Sequence, residues 1–296
     1  MSDPADIATL RRAARIAVAG KEPAWPALTG EDAALEVDLL IAHALGRSRT
    51  WLFAHGDHVP DASDAAQIER LLSARAQGVP VAQLTGKRGF WTLDLAVNEH
   101  TLIPRAETEL LVELALARLP VDAALSVADL GTGTGAIALA LASERPLLRV
   151  IATDASLQAL AVARANALRL GIGNVEFRQG DWCAALAANE TAAMIVSNPP
   201  YLGEDDPHLQ QGDLRFEPQS ALVSGADGLD AIRQIVSQAL QYLVPGGWLL
   251  LEHGQSQGAA VRDVLLKAGW IDVHSERDLE SRERVSLGRR ASVVAD

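Results

Sequence analysis

The sequence predicts an α/β fold: a mostly parallel sheet with helices on both faces, preceded by a small helical-bundle domain. Three observations predict it. Up to about Pro80 the apolar residues recur at helical spacing and no strand pattern appears. After Pro104 short apolar runs alternate with helical segments, the signature of a parallel sheet with crossover helices. A glycine-rich turn, Gly131-Thr132-Gly133-Thr134-Gly135, joins the first of those runs to its helix and gives the second domain a Rossmann-like character. The expected division is a helical domain over residues 1–80, a linker with a β-hairpin over 81–101, and the α/β domain over 102–296.

Each element has its own warrant. Ile7 to Val18 has apolar residues at helical spacing, with Arg11, Arg12 and Arg15 expected on the outer face. Glu31 to Leu45 is a second amphipathic segment, and Asp61-Ala62-Ser63 caps a third helix that runs to Ala76. Gly78-Val79-Pro80 punctuates the end of this region. Phe90 to Val97 reads as a strand and, with the stretch from Ala82, is expected to form the linking hairpin. Beyond it, strands are expected at Ser126 to Leu130, Arg149 to Thr153, Asn174 to Gln179, Ala192 to Ser197 and Trp248 to Leu251. Helices are expected at Gly135 to Ser143, up to Leu170, at Asp227 to Leu243 and at Gln255 to Ala268. No internal repeat or low-complexity tract interrupts the pattern.

Composition narrows the function. Nearly half of the 296 residues are apolar (49%) and 22% are charged, which fits a globular rather than a disordered chain. No run approaches the roughly 18 apolar residues of a membrane span. The opening Met1-Ser2-Asp3-Pro4-Ala5-Asp6 lacks the charged-then-apolar order of a signal peptide, so a cytoplasmic protein is expected. Cys183 is the only cysteine, which excludes an internal disulfide and a cysteine-based zinc site. A formal charge of −12 opposes nucleic acid as the main partner, because phosphates need a basic footprint.

The glycine turn is the first chemical signal. Glycines permit positive φ and let the backbone approach a ligand closely. In the dinucleotide fingerprint the third glycine of G-x-G-x-x-G falls one residue later than Gly135 does here. That difference favours S-adenosylmethionine, whose carboxylate-ammonium tail needs no pyrophosphate cradle. The next strand ends in Asp154, about twenty residues on, where an acid binds ribose hydroxyls. The plain alternative for Asp154 is a helix N-cap, and the two roles are compatible. The third strand ends in Gly180-Asp181-Trp182, where Asp181 can accept from the adenine amino group and Trp182 can stack on its ring. Core packing is the plain alternative for Trp182.

The fourth strand runs into Asn198-Pro199-Pro200-Tyr201. Proline ends the strand, and each proline holds the preceding residue extended, so Asn198 is aimed in one direction beside the glycine turn. Its side-chain oxygen and the Pro199 carbonyl can accept both hydrogens of a planar NH₂ group, with Tyr201 packed on its flat face. An amide nitrogen is a poor nucleophile because its lone pair is delocalised into the carbonyl. Two fixed acceptors return electron density to it and aim it, so positioning and preorganised dipoles carry the catalysis. The candidate catalytic residues are therefore Asn198, Pro199 and Tyr201. The candidate substrate-binding residues are Asn198, Pro199, Pro200 and Tyr201. Asn198, beside the turn, also belongs to the cofactor set.

Taken together these motifs make the chain similar to the release factor glutamine methyltransferases, the PrmC/HemK family, over nearly its whole length. Asn198-Pro199-Pro200-Tyr201 by itself is shared with adenine methyltransferases. More specific is Leu102-Ile103-Pro104-Arg105-Ala106-Glu107-Thr108-Glu109, which resembles the family's Leu-Ile-Pro-Arg-Pro-Glu-Thr-Glu with Ala106 in place of a proline. Phe216-Glu217-Pro218, Gly225-Ala226-Asp227-Gly228-Leu229, Leu243-Val244-Pro245-Gly246-Gly247-Trp248 and Glu252-His253-Gly254 match as well, whereas Ser281 stands where the family tends to have glycine. The resemblance implies a class I methyltransferase fold with S-adenosylmethionine as cofactor. By position, Gly131, Thr132, Gly133, Thr134 and Gly135 would meet its methionine part, Asp154 its ribose and Trp182 its adenine. The resemblance further implies that the substrate is the glutamine of the Gly-Gly-Gln segment of class 1 peptide chain release factors, docked with help from the helical domain.

Other signals carry less. His55-Gly56-Asp57-His58 reads as surface, Glu252-His253 as a packed pair and Cys183 as a half-buried thiol, and no metal is expected. A glutamine methyltransferase acting on a ribosomal protein would share the chemistry, but the Ile103 to Glu109 stretch favours the release factor type. An adenine-N6 nucleic-acid methyltransferase would need a basic recognition region. A NAD-dependent oxidoreductase is opposed by the early third glycine, and an inactive binding module by the presence of every motif residue.

Overall fold

Residue pattern becomes backbone in two compact units, Met1–Gly86 with Pro207–Phe216, and Lys87–Asp206 with Glu217–Asp296. The computed structural model describes residues 5–19 and 30–292, so the start of the expected acidic opening segment, residues 1–4, lies outside the described residues.

The first unit holds α1 (Ile7–Ala19), α2 (Gly30–Ala44), α3 (Arg49–Ala54), α4 (Ala62–Ala76) and α5 (Val81–Thr85). Ile7, Val37, Ile41, Leu52 and Ile68 make its core. Asp61 caps α4 as its sequence requires, its carboxylate accepting the Ser63 and Asp64 amides. The arginines of α1 depart from expectation. Arg12 is exposed, but Arg11 donates to both oxygens of Asp38 on α2, at 2.7 and 2.8 Å, and Arg15 joins them at 3.2 Å. Asp38 is buried, so periodicity marked charges whose partner it could not see. A second buried charge, Arg75 of α4, forks onto the Glu36 carboxylate at 2.8 and 3.0 Å and reaches Asp213 at 3.2 Å. Asp213 lies in the Pro207–Phe216 segment, which thereby acquires a fixed place in this unit.

The second unit opens on a hairpin, β1 (Lys87–Phe90) and β2 (Leu93–Ala96), paired Phe90 to Leu93 across Trp91-Thr92. The expected single strand from Phe90 to Val97 is therefore a turn followed by β2, with Trp91 at a φ of 56°. Residues 81–85 are the helix α5 rather than a strand, ended by Gly86 in the left-handed conformation. Then follow α6 (Glu109–Arg118), β3 (Ser126–Leu130), α7 (Ala136–Glu144), β4 (Arg149–Asp154), α8 (Leu157–Leu170), β5 (Val175–Gln179), β6 (Ala192–Ser197), α9 (Asp230–Ala239), β7 (Leu243–Glu252), α10 (Gly258–Lys267), β8 (Ile271–Arg277) and β9 (Glu283–Arg289). Among the described residues the sheet order is β5-β4-β3-β6-β7-β9-β8, parallel from β5 to β7 and antiparallel at β9 and β8. Alternate strand residues serve opposite cores. Val127, Val150, Met194 and Leu250 pack with α6 and α7, whereas Ala128, Ile151, Ile195 and Leu251 pack with α9 and α10. Burial on both faces is why these strands read as continuous apolar runs.

Candidate active site

Strand register brings the predicted residues together. Leu130 of β3 pairs with Thr153 of β4 and with Ser197 of β6, so Gly131, Asp154 and Asn198 are each the next residue on adjacent strands. Asp154 in turn pairs with Gln179 of β5, which puts Gly180 and Asp181 beside it. Neighbouring strands lie about 4.8 Å apart, so these groups form one row. The order reverses between β3 and β6, and the crevice outside such a switch point is where open α/β sheets hold ligands. A cavity of about 260 Å³ occupies it. Gly131, Thr132, Gly133, Thr134, Asp154, Asp181, Trp182, Asn198 and Pro200 all line this cavity; Gly135, Pro199 and Tyr201 stand just outside the lining.

The glycine turn is pinned from below. The amides of Gly131 and Thr132 donate to the Thr153 carbonyl at 2.9 and 2.8 Å, and that of Gly133 to Asp154 Oδ2 at 2.9 Å. Those amides hold the loop instead of pointing at a ligand, so what the glycines supply is bare backbone. Gly131 has a φ of 74°, and a Cβ there would stand 3.1 Å from the Trp182 ring; nothing lies within 4 Å of a Cβ at Gly133. Gly135 has a φ of 84° and packs against Leu139 and Ala163, so its place is in the turn's support.

Asp154 accepts the Ser156 amide at 2.8 Å as well as that of Gly133, combining a turn role with a position on the cavity wall. Burial pushes its carboxyl above the ordinary range, against these two hydrogen bonds. Each carboxylate oxygen keeps lone pairs for further donors such as ribose hydroxyls. Asp181 is exposed and its Oδ2 accepts Gln234 of α9 at 2.9 Å. Trp182 holds a φ of 47° and lays its ring over Gly131. Cys183 beside it is fully buried rather than half-buried, and burial pushes its thiol up to about 12. A turn with bare backbone at its glycines, an acid at the next strand end and an indole on the turn fit S-adenosylmethionine.

The motif after β6 is held on several sides. Ser197 Oγ donates to the Leu130 carbonyl at 2.7 Å, fixing the strand end. Asn198 Nδ2 donates to Thr108 Oγ1 at 3.1 Å. Gln257 Nε2 donates to the Tyr201 carbonyl at 2.9 Å while its Oε1 accepts the Gly254 amide at 2.9 Å. A Cβ on Gly228 would overlap the Tyr201 carbonyl. The segments around 228 and 252–257 thus build the seat of this motif. Arg105 closes on buried Glu217 at 2.6 Å, and Glu217 also accepts the Ile103 amide at 3.3 Å, joining two further matched segments. Burial, and secondarily the nearby Glu252, push the Tyr201 hydroxyl well above its usual range, so Tyr201 stays protonated.

One buried acid beside the glycine turn escaped sequence reasoning. Asp129 accepts Thr132 Oγ1 at 2.7 Å and the Ala138 amide at 3.2 Å, so it caps α7 where Gly135 has no side chain to do so. Burial raises it to about 7. The only signal was a charged residue inside an apolar run. Glu252 ends β7 beneath Thr108 and Tyr201 and is likewise raised to about 7 by burial. His253 is packed as expected, with Nε2 at 2.8 Å from Ser286 Oγ and Nδ1 at 2.9 Å from the Gly254 carbonyl.

Comparison with known proteins places the chain in a family. Residues 106–212 match the methyltransferase small domain, and residues 27–86 the PrmC N-terminal domain. The chain is 55% identical over 255 residues to a release factor glutamine methyltransferase of Xylella fastidiosa (strain 9a5c), covering 86% of this chain and 92% of that one. It is 51% identical over 254 residues to the release factor glutamine methyltransferase of Escherichia coli (strain K12), covering 86% and 91%. A methyltransferase structure from Pyrococcus furiosus superposes with a TM-score of 0.52 at 17% identity, covering 77% of this chain and 99% of that one, which shows the shared fold. The chain belongs to the release factor glutamine methyltransferase family and is a protein-glutamine methyltransferase whose methyl donor is S-adenosylmethionine.

Proposed function

We propose that the protein methylates the side-chain amide nitrogen of the glutamine in the Gly-Gly-Gln segment of class 1 peptide chain release factors. The observation that carries this reading is the register that sets Asn198 beside the Gly131 turn and Asp154 in one cavity. When bound, S-adenosylmethionine supplies an electrophilic methyl group on a sulfonium. Gly131 to Gly135, Asp154, Asp181, Trp182 and Asn198 would hold it. The Asn198 side-chain oxygen and the Pro199 carbonyl accept the two amide hydrogens of the substrate glutamine, raise the electron density of its nitrogen and aim it. Pro200 and Tyr201 confine the flat amide group. Residues 1–80 serve as the docking domain, residues 81–101 as the linker and residues 102–296 as the methyltransferase domain. The setting is cytoplasmic, with neither nucleic acid nor membrane as partner. Among the described residues no helix is long and apolar enough to cross a membrane.

The test incubates the intact protein with labelled S-adenosylmethionine and a purified class 1 release factor, then locates the label by mass spectrometry. One added methyl on the Gly-Gly-Gln glutamine is expected, and none when that glutamine is replaced by alanine. Label on a ribosomal protein, with the release factor untouched, would overturn the substrate assignment.

A further inference from the structure

Beneath the acceptor motif lies a short hydrogen-bond chain. Asn198 Nδ2 is 3.1 Å from Thr108 Oγ1, and the Thr108 hydroxyl stands by the carboxyl of Glu252, whose charged form it favours. Glu252 is buried away from solvent, and Thr108 is buried at the cavity wall. The three residues come from separate elements: the turn before α6, the end of β6 and the end of β7.

An asparagine amide has two ends of nearly equal shape and opposite polarity, and only its oxygen can accept a hydrogen from a substrate NH₂. Something must decide which end faces the cavity. A threonine hydroxyl has one proton to give. Burial, and to a lesser degree Glu107, oppose the charged form of Glu252, whereas Thr108, Arg284 of β9 and Arg105 favour it; Tyr201 stands close by. Above about pH 7 Glu252 is a carboxylate and only accepts, so the Thr108 proton goes to it. Thr108 Oγ1 then presents a lone pair to Asn198, which must answer with its NH₂ end. The oxygen end is left for the cavity, which Asn198 lines.

We propose that Thr108 is a positioning residue, anchored by Glu252, that fixes the Asn198 amide with its oxygen toward the substrate nitrogen. This rests on the acceptor role proposed above for Asn198. With Thr108 replaced by a residue of like shape and no hydroxyl, the amide can turn over and offer a donor where an acceptor is needed.

The experiment is a double-mutant cycle on the full-length enzyme with an intact release factor, read as single-turnover rate at saturating S-adenosylmethionine. Thr108→Val should slow transfer by about tenfold, the loss of one buried hydrogen bond, with cofactor affinity unchanged. Thr108→Ser, which keeps the hydroxyl, should stay within about twofold. In an Asn198→Ala background Thr108→Val should cost nothing further, because no amide remains to orient. If Thr108→Val does not fold, Thr108→Cys, a weak hydrogen-bonding group of similar size, takes its place in the cycle. An equal loss from Thr108→Val with and without Asn198 would overturn the inference in favour of general structural support, as would wild-type rate in Thr108→Val. Wild-type rate in Asn198→Ala would instead overturn the acceptor role itself, so the two failures are distinct.

Discussion

Asp154 carries two loads at once. Its carboxylate holds the Gly133 and Ser156 amides and stands on the cavity wall. Hydrogen bonds to a charged group are worth roughly 1.5–3 kcal/mol, so Asp154→Ala should weaken S-adenosylmethionine binding by about tenfold to a hundredfold in a calorimetric titration. Unchanged affinity would reduce Asp154 to a turn residue. Asp129 makes a prediction about pH. Its folded pKa of about 7 lies above the ordinary carboxylate value, so between roughly pH 4 and 7 the folded state holds a proton that the unfolded state has lost. Its contribution to stability is therefore complete at low pH and is lost as pH rises through 7; Glu252 acts in the same sense. Asp129→Asn should flatten the fall in melting temperature between pH 5 and 8, whereas parallel curves for the two proteins would place the titration elsewhere. Asp154 and Asn198 were legible in the sequence because each stands at the end of a strand. Thr108 was not given a role, and Glu252 only that of a packed residue, because what they do depends on contacts between distant elements.

At the scale of elements, regular alternation was readable and its exceptions were not. β3, β4, β6 and β7 are buried on both faces and read as apolar runs. β8 and β9 close the sheet as an antiparallel edge, and the polar Ile271–Arg277 leaves no apolar run to find. α5 is too short, at five residues, to show a helical period, and α6, with Leu and Ala nearly all round, has no polar face to define one. The acceptor motif likewise depends on a neighbouring segment rather than on its own residues. Gly228 has a φ of 76°, and its missing Cβ leaves room for the Tyr201 carbonyl. Gly228→Ala combines left-handed strain with that overlap, at a cost of about 1–3 kcal/mol. It should lower the melting temperature and slow methyl transfer while cofactor affinity holds, since the glycine turn lies on other strands. A variant that loses cofactor affinity but keeps its rate would contradict this division.

For the whole molecule, cofactor and acceptor sites are the two sides of one switch point in a single sheet. A ligand that binds the native state alone stabilises it by mass action, about 2.7 kcal/mol at a hundredfold excess over its dissociation constant. S-adenosylmethionine and its demethylated product should therefore raise the melting temperature, and NAD should not; a shift with NAD alone would reverse the cofactor assignment. The central claim is that the end of β6 presents Asn198 to the amide being methylated. Asn198→Ala tests it most directly, because Ser197 and the two prolines should keep the backbone in place. Loss of one preorganised hydrogen-bonding group in an active site costs about a hundredfold to a thousandfold. The measurement is the single-turnover rate of release factor methylation at saturating cofactor and partner. The account predicts a fall of that size with unchanged cofactor affinity, and with Asn198→Asp, which retains an acceptor, less impaired than alanine. An alanine variant within a few-fold of wild type would remove Asn198 from the mechanism.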